Sequence, residues 1–190
     1  MNEVLKVIST RFSCRNFTDE PVAQEHLEAI AKAAVESPSA MNLQPWRIVA
    51  VTDRELLDEI DSAIMEGLKE TDQNRYDRMV ARGGKIFFGG TAVFFIPTKI
   101  DESNPYTNID LGIVSQTIAL AATSLGLGSL ICGYSRHGFK GEKGKYFAKR
   151  LGFPPGYRLD LAVVVGHKGA EGSPHEPDMS KISYIASYCY

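Results

Sequence analysis

Four short β-prone runs are all the strand material this chain offers, and the helical stretches between them differ widely in length. The runs are Trp46-Arg47-Ile48-Val49-Ala50-Val51, then Thr91 to Ile96 (closed by Pro97), Gly128 to Gly133, and Arg158 to Gly166. Regular strand–helix alternation would build a doubly wound parallel sheet. So few strands with such uneven connections predict an α+β fold instead. Its sheet is expected to be mixed but mainly antiparallel, with about four to five strands and helices on both faces. Apolar periodicity places helices over residues 2–10, from the entry Thr18-Asp19-Glu20-Pro21 to the break at Ser37-Pro38, over 109–125 and over 142–151. Asp53 caps a further helix carrying Leu56, Leu57, Ile60, Ile64 and Leu68. Residues 70–90 show no clear period. From residue 168 the chain is rich in Gly, Pro and Ser, and reads as an arm that packs on a partner.

At 190 residues, residues 1–190 form a single domain. A chain of this size buries roughly 70% of the surface its unfolded form exposes, so it needs no covalent staple. A net charge of −2 excludes the broad basic footprint of a nucleic-acid binder. No apolar run reaches the length of about 18 residues that a membrane span requires. Glu3 interrupts the short apolar start, which is not a signal peptide. The expectation is a cytoplasmic protein with no membrane or nucleic-acid partner. Cys14, Cys132 and Cys189 are far apart, with no Cys-x-x-Cys pair and no histidine at ligand spacing, so neither a disulfide framework nor a zinc site is expected.

Familiar catalytic signatures fail. Gly126-Leu127-Gly128 follows a helix where a dinucleotide fingerprint needs a strand, and its third glycine is misplaced. Gly133-Tyr134-Ser135-Arg136-His137-Gly138 has the glycine spacing of a phosphate loop, but Phe139 stands where the lysine must be. No Gly-x-Ser-x-Gly or His-Glu-x-x-His occurs.

Two segments carry more. In Arg11-Phe12-Ser13-Cys14-Arg15, extended backbone puts Arg11, Ser13 and Arg15 on one side, two guanidinium groups flanking a hydroxyl. That suits a phosphate; the alternative is a solvated loop paired with Asp19 and Glu20. In Ser37-Pro38-Ser39-Ala40-Met41-Asn42-Leu43-Gln44-Pro45-Trp46, prolines fix both ends of a loop offering Ser39, Asn42 and Gln44. It either reads the polar edge of a heterocycle or is an ordinary helix-to-strand turn.

Together, in this order and about 25 residues apart, the two segments resemble the nitroreductase family of flavoenzymes. The resemblance continues through Asp110-Leu111-Gly112, Leu125-Gly126-Leu127-Gly128-Ser129 and the strand ending at Gly166, and so spans nearly the whole chain. It implies a homodimer that binds FMN at the subunit interface, with the C-terminal arm reaching over the partner. It implies reduction of a small flat acceptor, a nitroaromatic or quinone, by NADH or NADPH in a ping-pong cycle. By the same likeness, the motif of Arg11, Phe12, Ser13, Cys14 and Arg15 holds the cofactor. Arg11 and Ser13 take the phosphate and ribityl region, and Arg15 lies at the N1–C2=O edge, where a fixed cation favours the reduced form. Pro38, Ser39, Asn42 and Gln44 reach in from the opposite subunit. Ile131, Cys132 and Gly133 lie along the ring, with backbone N–H groups near N5. Lys168, in preference to Lys181, is the C-terminal cation for the phosphate. Phe12 departs from the family, where a basic residue is common, and Tyr76 with basic residues 75–85 forms a reduced cover over the substrate. A reductive dehalogenase, a flavin-consuming biosynthetic enzyme and a flavin-binding carrier or sensor are alternatives. The flavin carries the redox chemistry, so no acid–base dyad and no metal is called for.

Overall fold

The strands pair in the order β1-β2-β4-β3, with β1 at Val49–Val51, β2 at Ala92–Lys99, β3 at Gly128–Cys132 and β4 at Tyr157–Gly166. This computed structural model describes residues 1–185; Cys189 and the end of the arm lie outside the described residues. Neighbouring strands are antiparallel throughout. The expected mixed character is confined to one isolated parallel bridge, Ser13 to Ser129.

Side chains alternate across a sheet, so each strand feeds two cores. Val93, Phe95, Ala162 and Val164 point to one face. There they meet Ile60, Ile64 and Leu68 of α3 (Arg54–Thr71), Met79 of α4 (Gln73–Val80) and Phe147 of α6 (Gly141–Arg150). Phe94, Ile96, Val163 and Val165 point to the other, against Ile30 and Ala34 of α2 (Gln24–Val35) and Val114 and Ile118 of α5 (Thr107–Ser124). Burial on both faces is why these strands read as unbroken apolar runs. Each large side chain so buried contributes roughly 1.5–3 kcal/mol.

The first helix, α1 (Glu3–Thr10), is capped by Asn2, whose Oδ1 accepts the Leu5 N–H at 3.0 Å. It buries none of its residues: Val4, Leu5 and Ile8 are 66%, 53% and 49% exposed. It packs beside α5, whose Ile109 is also exposed. Among the described residues nothing covers the α1 stripe and Ile109, which stand as exposed apolar surface.

Several sequence expectations need correction. Thr18 to Pro21 does not open a helix. The Thr18 N–H donates to the His167 carbonyl at 3.0 Å, so the chain stays extended, and α2 starts only at Gln24, after Ala23. Pro97 does not close β2. A register shift at Ile96/Pro97 absorbs the proline, and pairing with β4 continues to Lys99. Trp46 is not in a ladder: it makes one isolated bridge to Thr98, and β1 proper begins at Val49. Residues 70–90 contain α4, capped by Asp72, which accepts the Arg75 N–H at 3.0 Å. Beyond β4 the described arm is exposed from Lys168 on, including a short 3₁₀ turn at Met179–Lys181.

Candidate functional site

Residues 11–18 run along the open edge of β3. The Cys14 N–H donates to the Ser129 carbonyl at 2.9 Å, Phe17 bridges Lys168, and the Gly169 N–H donates to the Asn16 carbonyl at 2.9 Å. Gly128 permits this approach: a Cβ there would lie 2.9 Å from both Cys14 Sγ and Lys168 Cγ. Alternation then sorts the motif as expected. Cys14 is buried, its thiol bonded to the Asn16 carbonyl at 3.1 Å, and Phe12 packs on the core. Phe12 also lies under Gly172, where any Cβ would overlap its ring. The side chains of Phe12 and Cys14 thus pack inward. Arg11 and Ser13 are half-buried and Arg15 is exposed.

The pairing of this motif with Asp19 and Glu20 does not form. Among the described residues Arg11, Arg15 and Lys168 have no carboxylate partner; Arg15 reaches only the Ser13 carbonyl, at 3.4 Å. Lys181 does have one, Asp178 at 3.8 Å. Cations without carboxylate partners can hold an anion by charge-assisted hydrogen bonds.

Beside them lies a cavity of about 680 Å³. Leu130, Ile131, Cys132 and Gly133 line it together with Tyr134, Leu111 and Leu161; Met79, Ile86 and Phe88 also contribute, with Arg15, Arg82, Arg136, Arg158 and Asp160 as its charged lining. A cavity of this size, lined by apolar and charged groups in comparable measure, suits a planar organic ligand with a polar edge. Burial pushes the Cys132 thiol up to about 11, so it is a neutral wall atom and no nucleophile. Ile86 is held from behind by Asp61 of α3. Its Oδ1 accepts the Ile86 N–H at 2.7 Å and the Phe87 N–H at 3.3 Å. Burial raises Asp61 to about 6, and those two N–H groups and Lys85 offset only part of the rise.

The Pro38–Gln44 loop is built tightly. Met41, Asn42 and Gln44 all have positive φ, at 52°, 54° and 46°. This left-handed conformation is unfavourable for residues other than glycine and persists only under restraint. The restraint is visible: Ser39 Oγ accepts the Gln44 N–H at 3.0 Å, and Gln44 Nε2 donates to Asn42 Oδ1 at 2.8 Å. The Ala40 N–H donates to Asp110 Oδ1 at 3.0 Å, tying the loop to the first turn of α5. Within one subunit none of Pro38, Ser39, Asn42 and Gln44 lines the cavity.

The family model described as the nitroreductase family matches residues 8–167. This chain belongs to that family. It is similar to a nitroreductase with bound FMN from Desulfitobacterium hafniense DCB-2, at 42% identity and a TM-score of 0.93, covering 98% of this chain and 100% of that one. An FMN-dependent nitroreductase from Clostridium difficile R20291 is 27% identical with a TM-score of 0.82, over 97% and 99% of the two chains. The FMN reductase [NAD(P)H] of Bacillus subtilis (strain 168) is 35% identical over 140 residues, 72% of this chain and 56% of that protein.

As a nitroreductase-family member, the chain brings Arg15, Ile131, Cys132 and Gly133 together in one cavity. Arg11, Ser13 and Lys168 lie along the adjoining edge. Tyr76 is not in the lining; it packs on the core with Lys69 Nζ 5.7 Å from its ring. Of that region, Met79 and Arg82 are in the lining. Sequence reading missed Arg136, Tyr134, Arg158 and Asp160 in the lining, and Asp61 behind it. Only the glycine-spaced 133–138 segment, set aside as a failed phosphate loop, pointed near them.

Proposed function

We propose that this chain is an FMN-dependent NAD(P)H oxidoreductase, a homodimer that reduces a flat, electron-poor acceptor such as a nitroaromatic or a quinone. The observation that carries the reading is that Arg11, Arg15 and Lys168 have no carboxylate partner among the described residues, with Arg15 itself in the lining of the cavity. That donor set fits FMN, which combines a phosphate dianion with a planar apolar ring bearing a polar edge. Arg11, Ser13 and Lys168 would hold the phosphate by charge-assisted bonds. Arg15, on the cavity rim, supplies fixed positive charge that favours a reduced, anionic cofactor. Ile131, Cys132 and Gly133 form the floor and keep water from it. FMN, when bound, accepts a hydride from NADH or NADPH and passes two electrons on, so that one cavity serves donor and acceptor in turn.

Two features support the dimer. The stripe of Val4, Leu5 and Ile8 and nearby Ile109 are the apolar surface a partner would cover. The braced loop holds Asn42 and Gln44 exposed, away from the cavity of their own subunit, where they are free to serve a neighbour's. The experiment is the absorption spectrum of the purified protein, followed by stopped-flow mixing with NADH and NADPH. Oxidised-flavin bands that bleach with either donor and return on adding a quinone support the reading. A colourless protein that takes up no FMN, or a bound flavin that neither donor bleaches, refutes it.

A further inference from the structure

Three arginines other than Arg15 face the cavity, and they are not equivalent. Arg158 donates from Nε to Asp160 Oδ2 at 2.8 Å and is neutralised there. Arg82 and Arg136 have no side-chain hydrogen bond or carboxylate partner among the described residues, and both are exposed at the mouth. They come from different elements. Arg82 follows α4 in a turn completed by Gly83 and Gly84, both at positive φ, and Arg136 lies in the 3₁₀ segment Gly133–Gly138. The neighbouring charges do not cancel theirs. Arg75 is paired with Asp72 at 3.1 Å, and Lys140 adds another cation. Burial first, then the charges of Lys140, Arg136 and Arg75 against that of Asp72, hold the neighbouring His137 below its usual range.

An apolar and aromatic wall stands beside these guanidinium groups: Met79, Phe88 and Tyr134. Cations without partners that line the same cavity as such a wall suit a ligand whose negative charge sits directly on a flat ring. In a nicotinamide dinucleotide a ribose separates the phosphates from the ring, whereas an aromatic acid carries its charge on the ring itself.

We propose that Arg82 and Arg136 form an anion clamp that selects acceptors carrying a carboxylate on an electron-poor ring, the class of aromatic acids. This rests on the oxidoreductase reading above and narrows its acceptor. For a nitro acid the balanced step takes a hydride's electron pair from NAD(P)H and two protons, one of them from solvent. One N–O bond breaks, leaving a nitroso acid and water.

The test compares 4-nitrobenzoate with its neutral analogue 4-nitrobenzamide as acceptors for the FMN-loaded enzyme, and non-reducible benzoate with benzamide by calorimetry. The proteins are wild type, Arg82→Gln, Arg136→Gln and, as a control for net charge, Arg78→Gln, which alters an exposed α4 residue outside the lining. A charge-assisted bond is worth about a tenfold change or more. The acid-to-amide ratio of kcat/KM should therefore fall about tenfold in each cavity variant and hold in Arg78→Gln, with benzoate affinity falling in parallel. Equal ratios in all four proteins, or benzoate binding no better than benzamide in wild type, overturn the clamp. A rise in KM for NADPH but not NADH, with the acid ratio unchanged, also overturns it, because the charge then serves the donor's extra phosphate. If NAD(P)H does not reduce even the amide, the oxidoreductase reading fails, and the benzoate calorimetry still decides the clamp.

Discussion

Replacing Asp61 by asparagine should make the protein more stable at neutral pH. The carboxyl is buried in α3, and its pKa lies at about 6 rather than the ordinary 3.8, chiefly because burial penalises the charged form. Between those values the folded protein binds more protons than the unfolded chain, so this group's contribution to stability falls as pH rises. It is fully present below about pH 4 and is lost as pH passes through about 6. Two units at roughly 1.4 kcal/mol each amount to about 3 kcal/mol given up by pH 8. Asparagine keeps an oxygen where the Ile86 and Phe87 N–H groups donate, and it carries no charge to desolvate. The pKa of about 6 already includes the two N–H bonds to the carboxylate, so the net gain above pH 7 is up to about 3 kcal/mol. Urea unfolding of both proteins at fixed FMN concentration, from ~pH 4.5 to ~pH 8, measures it. The difference between variant and wild type should grow in the variant's favour across that window, then level off. A difference that stays flat with pH, or a variant less stable at pH ~8, would show that the two N–H bonds, not desolvation, dominate the site.

Four further outcomes follow from the site. Arg11→Ala should weaken FMN binding by about 1.5–3 kcal/mol while leaving riboflavin, which lacks the phosphate, almost unaffected; fluorescence titration with both ligands measures this. Arg15→Met removes a charge worth about 2 kcal/mol to the reduced flavin, so the two-electron potential of the FMN-loaded protein should drop by about 40 mV in a dye-equilibration titration. Mixing Asn42→Ala with Arg11→Ala subunits should partly restore FMN binding, by producing one intact site per heterodimer; no recovery with heterodimers verified would place both residues in the same subunit's site. Cys132, with its thiol pushed up to about 11 by burial, should resist alkylation in the folded protein at pH ~8 and react only after unfolding, as peptide mass spectrometry would show.

Much of this was legible from spacing because it depends on local physics. Asp53 caps α3 as read, accepting the Leu56 N–H at 3.1 Å, and the alternation of Arg11, Ser13 and Arg15 against Cys14 follows from extended backbone alone. The failures have long-range causes. Thr18 looked like a helix entry because nothing local reveals that its N–H is taken by His167, about 150 residues away. Pro97 looked like a terminator because a register shift, invisible in one strand, makes room for it. Asp61 carried no signal, since an acid on an amphipathic helix ordinarily faces water. Arg82 and Arg136 lay in segments without a period and share a cavity because α4 and the 133–138 turn both pack on α3.

The central sheet also sets how substitutions combine. Ile64 and Ile118 are both fully buried, yet they belong to hydrophobic clusters on opposite faces, with the β2 and β4 backbones between them. Neither removes an atom that the other touches. Ile64→Val and Ile118→Val should each cost about 0.5–1.5 kcal/mol, and the double variant should cost their sum to within about 0.5 kcal/mol. Pairs on one face, such as Ile64 with Phe95, share neighbours and should depart from that sum. Sequence drift in the α2–α5 layer can thus proceed almost independently of drift in the α3–α4–α6 layer.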